Sequence, residues 1–167
     1  QVALVEEERI VPLVKGVNQV DFSWANTRID PDSLVLRIMP PPADQPLDAK
    51  VLSVSYPPNE TALVWSVAAS ASGAARVRIS YVLGGLGKDF HYRAVAARDE
   101  KTLNLTQLLR VNNNANEAYD AAEFWAGVGE RFNKPLGLNE TKEMQLSRFA
   151  AAPVRKTYTS SPMEFGY

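Results

Sequence analysis

Residues 76–83 read Arg-Val-Arg-Ile-Ser-Tyr-Val-Leu, and this stretch decides the fold class. Its large apolar side chains fall at every second position, namely Val77, Ile79, Tyr81 and Leu83. A period of two is typical of a β-strand with one buried face, because successive side chains point to opposite sides of a sheet. The stretch therefore predicts a strand that packs its apolar face against a core.

The same alternation recurs along most of the chain. It includes Val20/Phe22/Trp24, Leu34/Leu36/Ile38, Leu52/Val54/Tyr56, Leu63/Trp65/Val67 and Leu103/Leu105/Leu109/Val111. The runs are separated by turn-forming residues, at 15–16, 30–33, 57–60, 71–73 and 112–116. Short strands joined by short polar turns must pair antiparallel. The pattern predicts an all-β fold, an antiparallel β-sandwich that is immunoglobulin-like or related.

Two internal segments depart from this rhythm. Residues 39–50 contain four prolines and few large apolar residues, so we expect an extended surface loop, partly polyproline II. Residues 117–128 fit a helical stripe through Ala118, Ala122 and Trp125, and also a strand-like alternation through Phe124 and Val128. Periodicity leaves helix and strand open there.

The character of the chain changes after Gly129. Residues 130–167 contain apolar residues without sustained period, interrupted by Pro135, Gly137, Pro153 and Pro162. We expect a sandwich domain over residues 1–129 and an extended, mostly irregular tail over 130–167. The tail packs either on its own domain or on a partner, and its candidate partner-binding anchors are Phe149, Tyr158, Phe165 and Tyr167.

Composition excludes several functional classes. The 167 residues carry 18 basic and 19 acidic side chains, a net charge of −1 without dense basic clusters, which disfavours nucleic acid as a partner. The absence of cysteine excludes disulfides and thiol chemistry. No apolar run reaches the roughly 20 residues of a membrane helix. Because Gln1 opens what reads as a strand, we expect this chain to be a processed or truncated piece.

The order of several motifs resembles a bacterial family. They are Leu-Val-Glu-Glu-Glu-Arg (4–9), Val-Lys-Gly-Val-Asn-Gln-Val-Asp-Phe (14–22), Ile-Asp-Pro-Asp-Ser-Leu (29–34), Val-Ser-Tyr-Pro-Pro (54–58), Ile-Ser-Tyr-Val-Leu-Gly-Gly-Leu (79–86), Asp-Glu-Lys-Thr-Leu-Asn-Leu (99–105), Val-Asn-Asn (111–113) and Glu-Ala-Tyr (117–119). The likeness is to a domain of unknown function found in the C-terminal half of mucoidy-inhibitor-A-like proteins, and it covers about residues 2–130. The resemblance implies a sandwich-rich, commonly exported domain without established activity, and it favours strand over helix in residues 117–128. The family's glycine-bearing turn is here Asn113–Glu117 without glycine, and its hairpin tryptophan is replaced by Gly-Lys-Asp-Phe at 87–90.

Candidate chemistry is sparse. His91 is the single histidine, with Asp89 two residues away and Ser80 or Ser55 as conceivable nucleophiles, but a surface histidine is the preferred interpretation. Asp30/Asp32 and Asp99/Glu100 could offer oxygen ligands to calcium, yet lack EF-hand spacing and are better explained by turns.

Glycines and aromatics also have structural explanations. The glycines at 84–87 precede an alternating stretch rather than a helix, which predicts a hairpin or bulge, not a phosphate loop. Tyr56, Trp65 and Tyr81 lie on apolar faces and are expected in the core. We therefore predict no catalytic residues, metal or cofactor.

The sequence thus favours a non-catalytic interaction and scaffolding domain of the bacterial envelope, exported or periplasmic, acting as an accessory subunit of a larger assembly. Its contacts would come from sheet edges, the proline loop and the tail, with protein partners and a membrane-associated complex as one option. A carbohydrate- or cell-wall-binding module using Trp125 with Tyr119 or Phe90 is the alternative, and a hydrolase using Asp89 and His91 the third.

Overall fold

The computed structural model describes residues 1–43 and 47–160. In these residues the chain is nearly all β and has no α-helix, which confirms the predicted fold class. The strands are β1 Val2–Leu13, β2 Gly16–Ser23, β3 Val35–Ile38, β4 Ala49–Ser55, β5 Ala62–Ala69, β6 Gly73–Gly84, β7 Leu86–Ala96, β8 Thr102–Asn113, β9 Glu123–Phe124, β10 Phe132–Asn133 and β11 Thr141–Pro153.

The chain forms two compact units, each built from several stretches of sequence. The first unit comprises residues 1–87, 112–120 and 135–140. The second comprises residues 88–111, 121–134 and 141–167. The sequence predicted a boundary near residue 129, whereas residues 121–134 belong to the second unit. Long-range strand pairing, which no local pattern reveals, produces this interleaving.

The first unit has two three-stranded antiparallel sheets, in the orders β1-β6-β3 and β2-β5-β4. Their apolar faces share one core, in which Leu63, Val67, Ile79 and Leu83 are at most 2% exposed. The central strands β5 and β6 alternate buried and less buried side chains along most of their length. The alternation of apolar residues in 76–83 therefore reflects the packing of one sheet against the other.

Phe22, Trp65 and Tyr81 form an aromatic centre in this core, with Phe22 5.9 Å from both other ring centroids. Trp65 and Tyr81 are buried as predicted. Tyr56 is not, since half of its surface is exposed where the end of β4 leaves the core, and it meets Trp24 edge-on. The prediction of a core position for Tyr56 is wrong.

Residues 30–33 form the predicted turn as a short 3₁₀ helix at Pro31–Ser33. The Asp30 carboxylate accepts a hydrogen bond from the Asp32 backbone N–H at 3.1 Å, which caps the turn. The Ser33 hydroxyl accepts one from the Val82 N–H at 2.8 Å, which attaches the turn to β6. The two aspartates are thus explained by turn geometry.

Three of the four edge strands of the first unit, β1, β3 and β4, carry a feature that discourages further strand pairing. β1 places the charged Glu7 and Arg9 on its core-side face, where Arg9 binds Glu7 at 3.0 Å and lies 5.2 Å from the Phe22 ring centroid. The register of β4 slips between Val51 and Ser53. β3 has four residues and is followed by prolines.

The second unit contains a three-stranded sheet in the order β11-β8-β7 and the two-stranded ribbon β9-β10. Phe124 and Phe132 stack across the ribbon with centroids 5.4 Å apart. Among the described residues of this unit, the buried apolar side chains are Leu109, Val111 and Ala126. The second unit therefore has little apolar core of its own.

Three expectations about local structure need correction. β6 and β7 belong to different sheets, so the glycines at 84–87 do not form a hairpin but lead the chain from one sheet to another. Gly85 has a φ of +90°, and an added Cβ would lie 2.5 Å from the Asn114 carbonyl oxygen. This backbone-to-backbone contact explains the glycine better than either a hairpin or a phosphate loop.

Residues 117–128 form neither a helix nor a sustained strand, because the structure has there an isolated bridge at Tyr119 and the two-residue strand β9. Thr141–Pro153, expected within an irregular tail, is a strand of 13 residues. Half-buried Met144 and Leu146 alternate there with exposed Glu143 and Gln145. This short alternation indicates the strand β11, and the prediction of an irregular tail overlooked it.

Candidate interaction surface

The distal arm is the end of the β7-β8-β11 sheet, which we define as residues 92–107 and 147–158. All five residues at 92–96 in β7 are exposed, and so are the four at 148–151 in β11. A strand covered on one face would alternate instead, because neighbouring side chains point to opposite faces. Both faces of the outer strands are therefore open in the arm.

Hydrogen bonds across the three strands hold the arm together. The Gln107 side-chain amide donates to the Tyr92 hydroxyl at 3.2 Å and accepts from the Ser147 hydroxyl at 3.1 Å. At the tip, the Ala97 N–H donates to the Thr102 carbonyl, and the Val154 N–H donates to the Lys101 carbonyl, both at 2.9 Å. The arm is thus an ordered surface rather than a loose end.

The two faces of the arm differ in chemistry. Tyr92, Gln107 and Ser147 share one face because their side chains are bonded to each other. Alternation places Leu105 and Phe149 on this same side, which we call the aromatic face. Tyr92 is 63% exposed and Phe149 57% exposed, although both are large aromatic side chains. The opposite side, which we call the arginine face, carries Arg93 and Arg148.

The arm is strongly basic. It contains six basic and two acidic residues, namely Arg93, Arg98, Lys101, Arg148, Arg155 and Lys156 against Asp99 and Glu100. The four arginine side chains are exposed and form no hydrogen bond or ion pair within the described part of the chain. The arm therefore presents four guanidinium groups without a partner in the described residues, in addition to its exposed aromatic side chains.

The chain after β11 returns to the tip of the arm. The Lys156 ammonium pairs with the Glu100 carboxylate and lies 5.4 Å from the ring centroid of Tyr158. The Glu100 hydrogen bond, followed by that of Tyr158, raises the pKa of Lys156 above its usual value. Tyr158 itself is 84% exposed. Of the predicted partner-binding anchors, Phe149 and Tyr158 are thus accessible, and Phe165 and Tyr167 lie outside the described residues.

A second apolar feature lies beside the proline loop of the first unit. It is a groove of about 370 Å³ lined by Ile10, Ile38, Met39, Pro40, Pro41, Pro42, Leu47, Ala74, Ala75 and Arg76. Pro40, Pro41 and Pro42 belong to no strand or helix, Ala43 lies in a turn, and Pro46 lies outside the described residues. The loop expected over residues 39–50 ends earlier than predicted, because β4 begins at Ala49. Arg76 is the one charged residue in this otherwise apolar lining.

Asp89 and His91 are not assembled into a catalytic arrangement in the described residues. Asp89 is exposed, His91 is half-buried, and no hydrogen bond joins them. The Ser80 hydroxyl donates instead to Glu6 at 3.4 Å on the first unit. Within the described ranges, no three histidine or acidic side chains cluster as metal ligands. The arrangement supplies no activated nucleophile with an oriented base.

The aromatic residues considered for carbohydrate binding are separated by their exposure. Trp125 is 64% exposed, whereas Tyr119 and Phe90 are half-buried. Lys88 holds the loop beside Trp125 by donating to the Ala126 carbonyl, and its ammonium lies 5.7 Å from the Phe90 centroid. Of the three aromatic residues considered for a sugar-binding platform, Trp125 alone has a largely exposed ring, and its loop is held by Lys88.

The chain was compared with family models, curated proteins and solved structures. No family model, curated protein or solved structure matches it. The resemblance to mucoidy-inhibitor-A-like proteins therefore stays a prediction. Among the helical residues in the described ranges, no segment has the length and apolarity needed to cross a bilayer.

Proposed function

We propose that this chain is a non-catalytic interaction and scaffolding domain, an accessory subunit that stabilises a larger protein assembly. The observation that carries the proposal is the distal arm, which exposes Tyr92 and Phe149 on an ordered sheet with both faces open. Large exposed apolar side chains on an ordered sheet are candidates for a protein–protein contact. Tyrosine, phenylalanine and arginine, the residues enriched in such contacts, are those that the arm presents.

The energetic argument comes from the weak core of the second unit. Leu109, Val111 and Ala126 are its buried apolar side chains in the described residues. A three-stranded sheet needs an apolar face covered for independent stability, since strand pairing alone is marginal in water. A partner that covers the aromatic face would supply the missing burial. This favours an obligate or long-lived partner over a transient one.

The contacts fall on the arm rather than on the sheet edges of the first unit. The inward charges of β1, the register slip in β4 and the short β3 oppose strand addition at three of the four edges of that unit. The expectation that sheet edges make the contacts is kept for β7 and β11, the edge strands of the arm. The expectation that the tail contributes is supported by the exposed Phe149 and Tyr158. The proline-loop groove would be a secondary contact.

The location in the bacterial envelope belongs to the same proposal. It rests on the family resemblance, which implies export, and the absence of cysteine is compatible with it. Fractionation of the source bacterium with an antibody against this chain checks it directly. Recovery of the chain with cytosolic markers would refute the envelope location and leave the interaction role to be judged separately.

The interaction role is tested by a pair of double variants purified from the source bacterium. Tyr92→Ala/Phe149→Ala removes the two exposed aromatic side chains of the arm. Val17→Ala/Leu52→Ala removes two exposed apolar side chains of the first unit, 62% and 51% exposed, and is the matched control. Truncating a central aromatic contact costs roughly 2 kcal/mol or more, about thirtyfold in affinity.

We expect a stoichiometric partner that copurifies with the wild-type chain and the control and is lost from the arm variant. Circular dichroism of each variant confirms that the fold persists. Equal retention of the partner by both variants, or a monomeric chain without a stoichiometric partner, would refute the role proposed for the arm.

A carbohydrate-binding role is the second candidate, favoured by the 64% exposure of Trp125. A planar ring open to solvent can stack on a sugar. Binding to a glycan array and to purified cell wall, compared between the wild-type chain and Trp125→Ala, tests it. Absence of any glycan binding, or binding unchanged by the substitution, removes this candidate.

A further inference from the structure

The charges of the two units differ in sign. The first unit carries seven basic and twelve acidic residues, a net charge of −5, and the second carries eleven basic and seven acidic residues, a net charge of +4. The second unit is therefore basic although the net charge of the whole chain is −1. The arm contains most of the excess positive charge of this unit. Such an asymmetry selects a partner by the sign of its charge.

We propose, resting on the function proposed above, that the arm binds an acidic polypeptide segment with interspersed apolar side chains, which contacts both faces of the sheet. The apolar side chains of this segment cover Tyr92 and Phe149 on the aromatic face. Its carboxylates pair with Arg93 and Arg148 on the arginine face and with Arg98 and Arg155 at the tip.

Charge complementarity is the first support for this partner. Arg93, Arg98, Arg148 and Arg155 are exposed and have no ion pair within the described residues, whereas Arg110 pairs with Glu143 at 3.0 Å nearer the other end of the sheet. The planar guanidinium group forms two parallel hydrogen bonds with one carboxylate. The unpaired arginines thus have the chemistry to fix the direction and register of an acidic segment.

The two-sided distribution of these groups favours a polypeptide over a membrane surface. Tyr92 and Phe149 lie on one face of the sheet and Arg93 and Arg148 on the other, because they occupy neighbouring positions in β7 and β11. A flat bilayer reaches one face at a time, so apolar insertion and headgroup pairing would compete. A polypeptide wraps around the arm and contacts both faces together.

The test uses the full chain and three probes of known composition. The first is a synthetic peptide that alternates glutamate with phenylalanine and leucine, and the second is the same peptide with lysine in place of glutamate. The third is a vesicle of phosphatidylglycerol and phosphatidylcholine. Binding is followed by fluorescence anisotropy for the peptides and by cosedimentation for the vesicles, at physiological and at raised salt.

We expect the acidic peptide to bind and the lysine peptide not to bind. Arg93→Glu/Arg148→Glu should weaken the affinity for the acidic peptide roughly tenfold, since two exposed ion pairs are replaced by repulsion. Arg28→Glu/Arg37→Glu, which makes the same charge change at two exposed arginines of the first unit, should alter binding of the acidic peptide less than about twofold. Raised salt should weaken binding of the wild-type chain more than that of the arm variant.

Three outcomes would overturn the proposal: equal binding of both peptides, equal loss in the two double variants, or binding of vesicles without binding of the acidic peptide. The third outcome would assign the arm to an anionic membrane instead. A native partner that is lost with Tyr92→Ala/Phe149→Ala but retained by Arg93→Glu/Arg148→Glu would refute the acidic partner and leave the interaction role intact.

Discussion

The side-chain amide of Asn113 donates a hydrogen bond to the carbonyl oxygen of Gly137 at 2.8 Å, across 24 residues of sequence. The same nitrogen donates to the Glu117 carbonyl at 2.6 Å, and the side-chain oxygen accepts from the Ala115 N–H at 3.1 Å. Asn113 is 0% exposed. One buried side chain thus joins the 113–117 turn to the 137–140 loop of the first unit.

Replacing Asn113 with alanine should destabilise the chain by about 2–4 kcal/mol, because two carbonyls and one N–H would lose their partner in a buried site. Asn113→Asp should cost at least as much, since a carboxylate cannot donate to the carbonyls. Urea unfolding measures both. Asn114→Ala is the control, expected within about 0.5 kcal/mol because this side chain is exposed. Equal stability of the Asn113→Ala variant and the control would contradict the role of this amide.

Gly85→Ala should be far more damaging than Gly16→Ala. Both glycines have positive φ values, +90° and +107°, so alanine is strained at either position. At Gly85 the new Cβ would also meet the Asn114 carbonyl at 2.5 Å, whereas nothing lies within 4 Å at Gly16. We expect a loss of about 1–2 kcal/mol for Gly16→Ala and clearly more for Gly85→Ala. Thermal unfolding of the two variants makes the comparison, and similar losses would show that the contact with Asn114 is not limiting.

Removing the inward charges of β1 should produce self-association. In Glu7→Val/Arg9→Val the edge strand becomes apolar on its core-side face and unprotected along its length. Static light scattering should then show concentration-dependent oligomers. The control Glu8→Thr/Arg78→Thr removes one acid and one base from the outer face, an ion pair of 2.7 Å, and should stay at the wild-type mass. A monodisperse double valine variant would argue against the protective role of these charges.

The stability of the first unit should decline in alkali, and Tyr81 should contribute to this decline. Burial raises the pKa of its hydroxyl to about 12, with further contributions from the charges of Glu7 and Glu117. The hydroxyl of an unfolded chain ionises near 10. The stabilisation by the neutral phenol is therefore complete below about pH 10 and is lost as the pH rises through about 12.

Tyr81→Phe should remove this contribution. Between about pH 9 and about pH 11.5, the free energy of unfolding of the variant should fall less steeply than that of the wild type, by up to roughly 2 kcal/mol. Urea unfolding at both pH values measures it, with Tyr92→Phe, an exposed tyrosine, as control. A parallel decline in all three proteins would show that Tyr81 does not contribute to the alkaline transition.

The sequence by itself determined the fold class and much of the first unit. The alternation in residues 76–83 and its repeats require strands with one buried face, whichever strands pair, and the structure places Trp65, Ile79 and Leu83 in the core accordingly. The Asp30 turn was equally readable, because proline and a capping carboxylate act on neighbouring residues. These features depend on local geometry, which the order of residues encodes directly.

The tertiary structure alone decided how the strands are shared between two units. β6 and β7 are joined by a single residue, Gly85, yet belong to different sheets, and β11 joins β8 although residues 130–167 lack a sustained pattern. The distal arm likewise arises only when β7, β8 and β11 stand side by side, since the exposure of Tyr92 and Phe149 depends on which neighbours cover them. Pairing partners and solvent exposure are properties of distant contacts, and no period within a strand carries them.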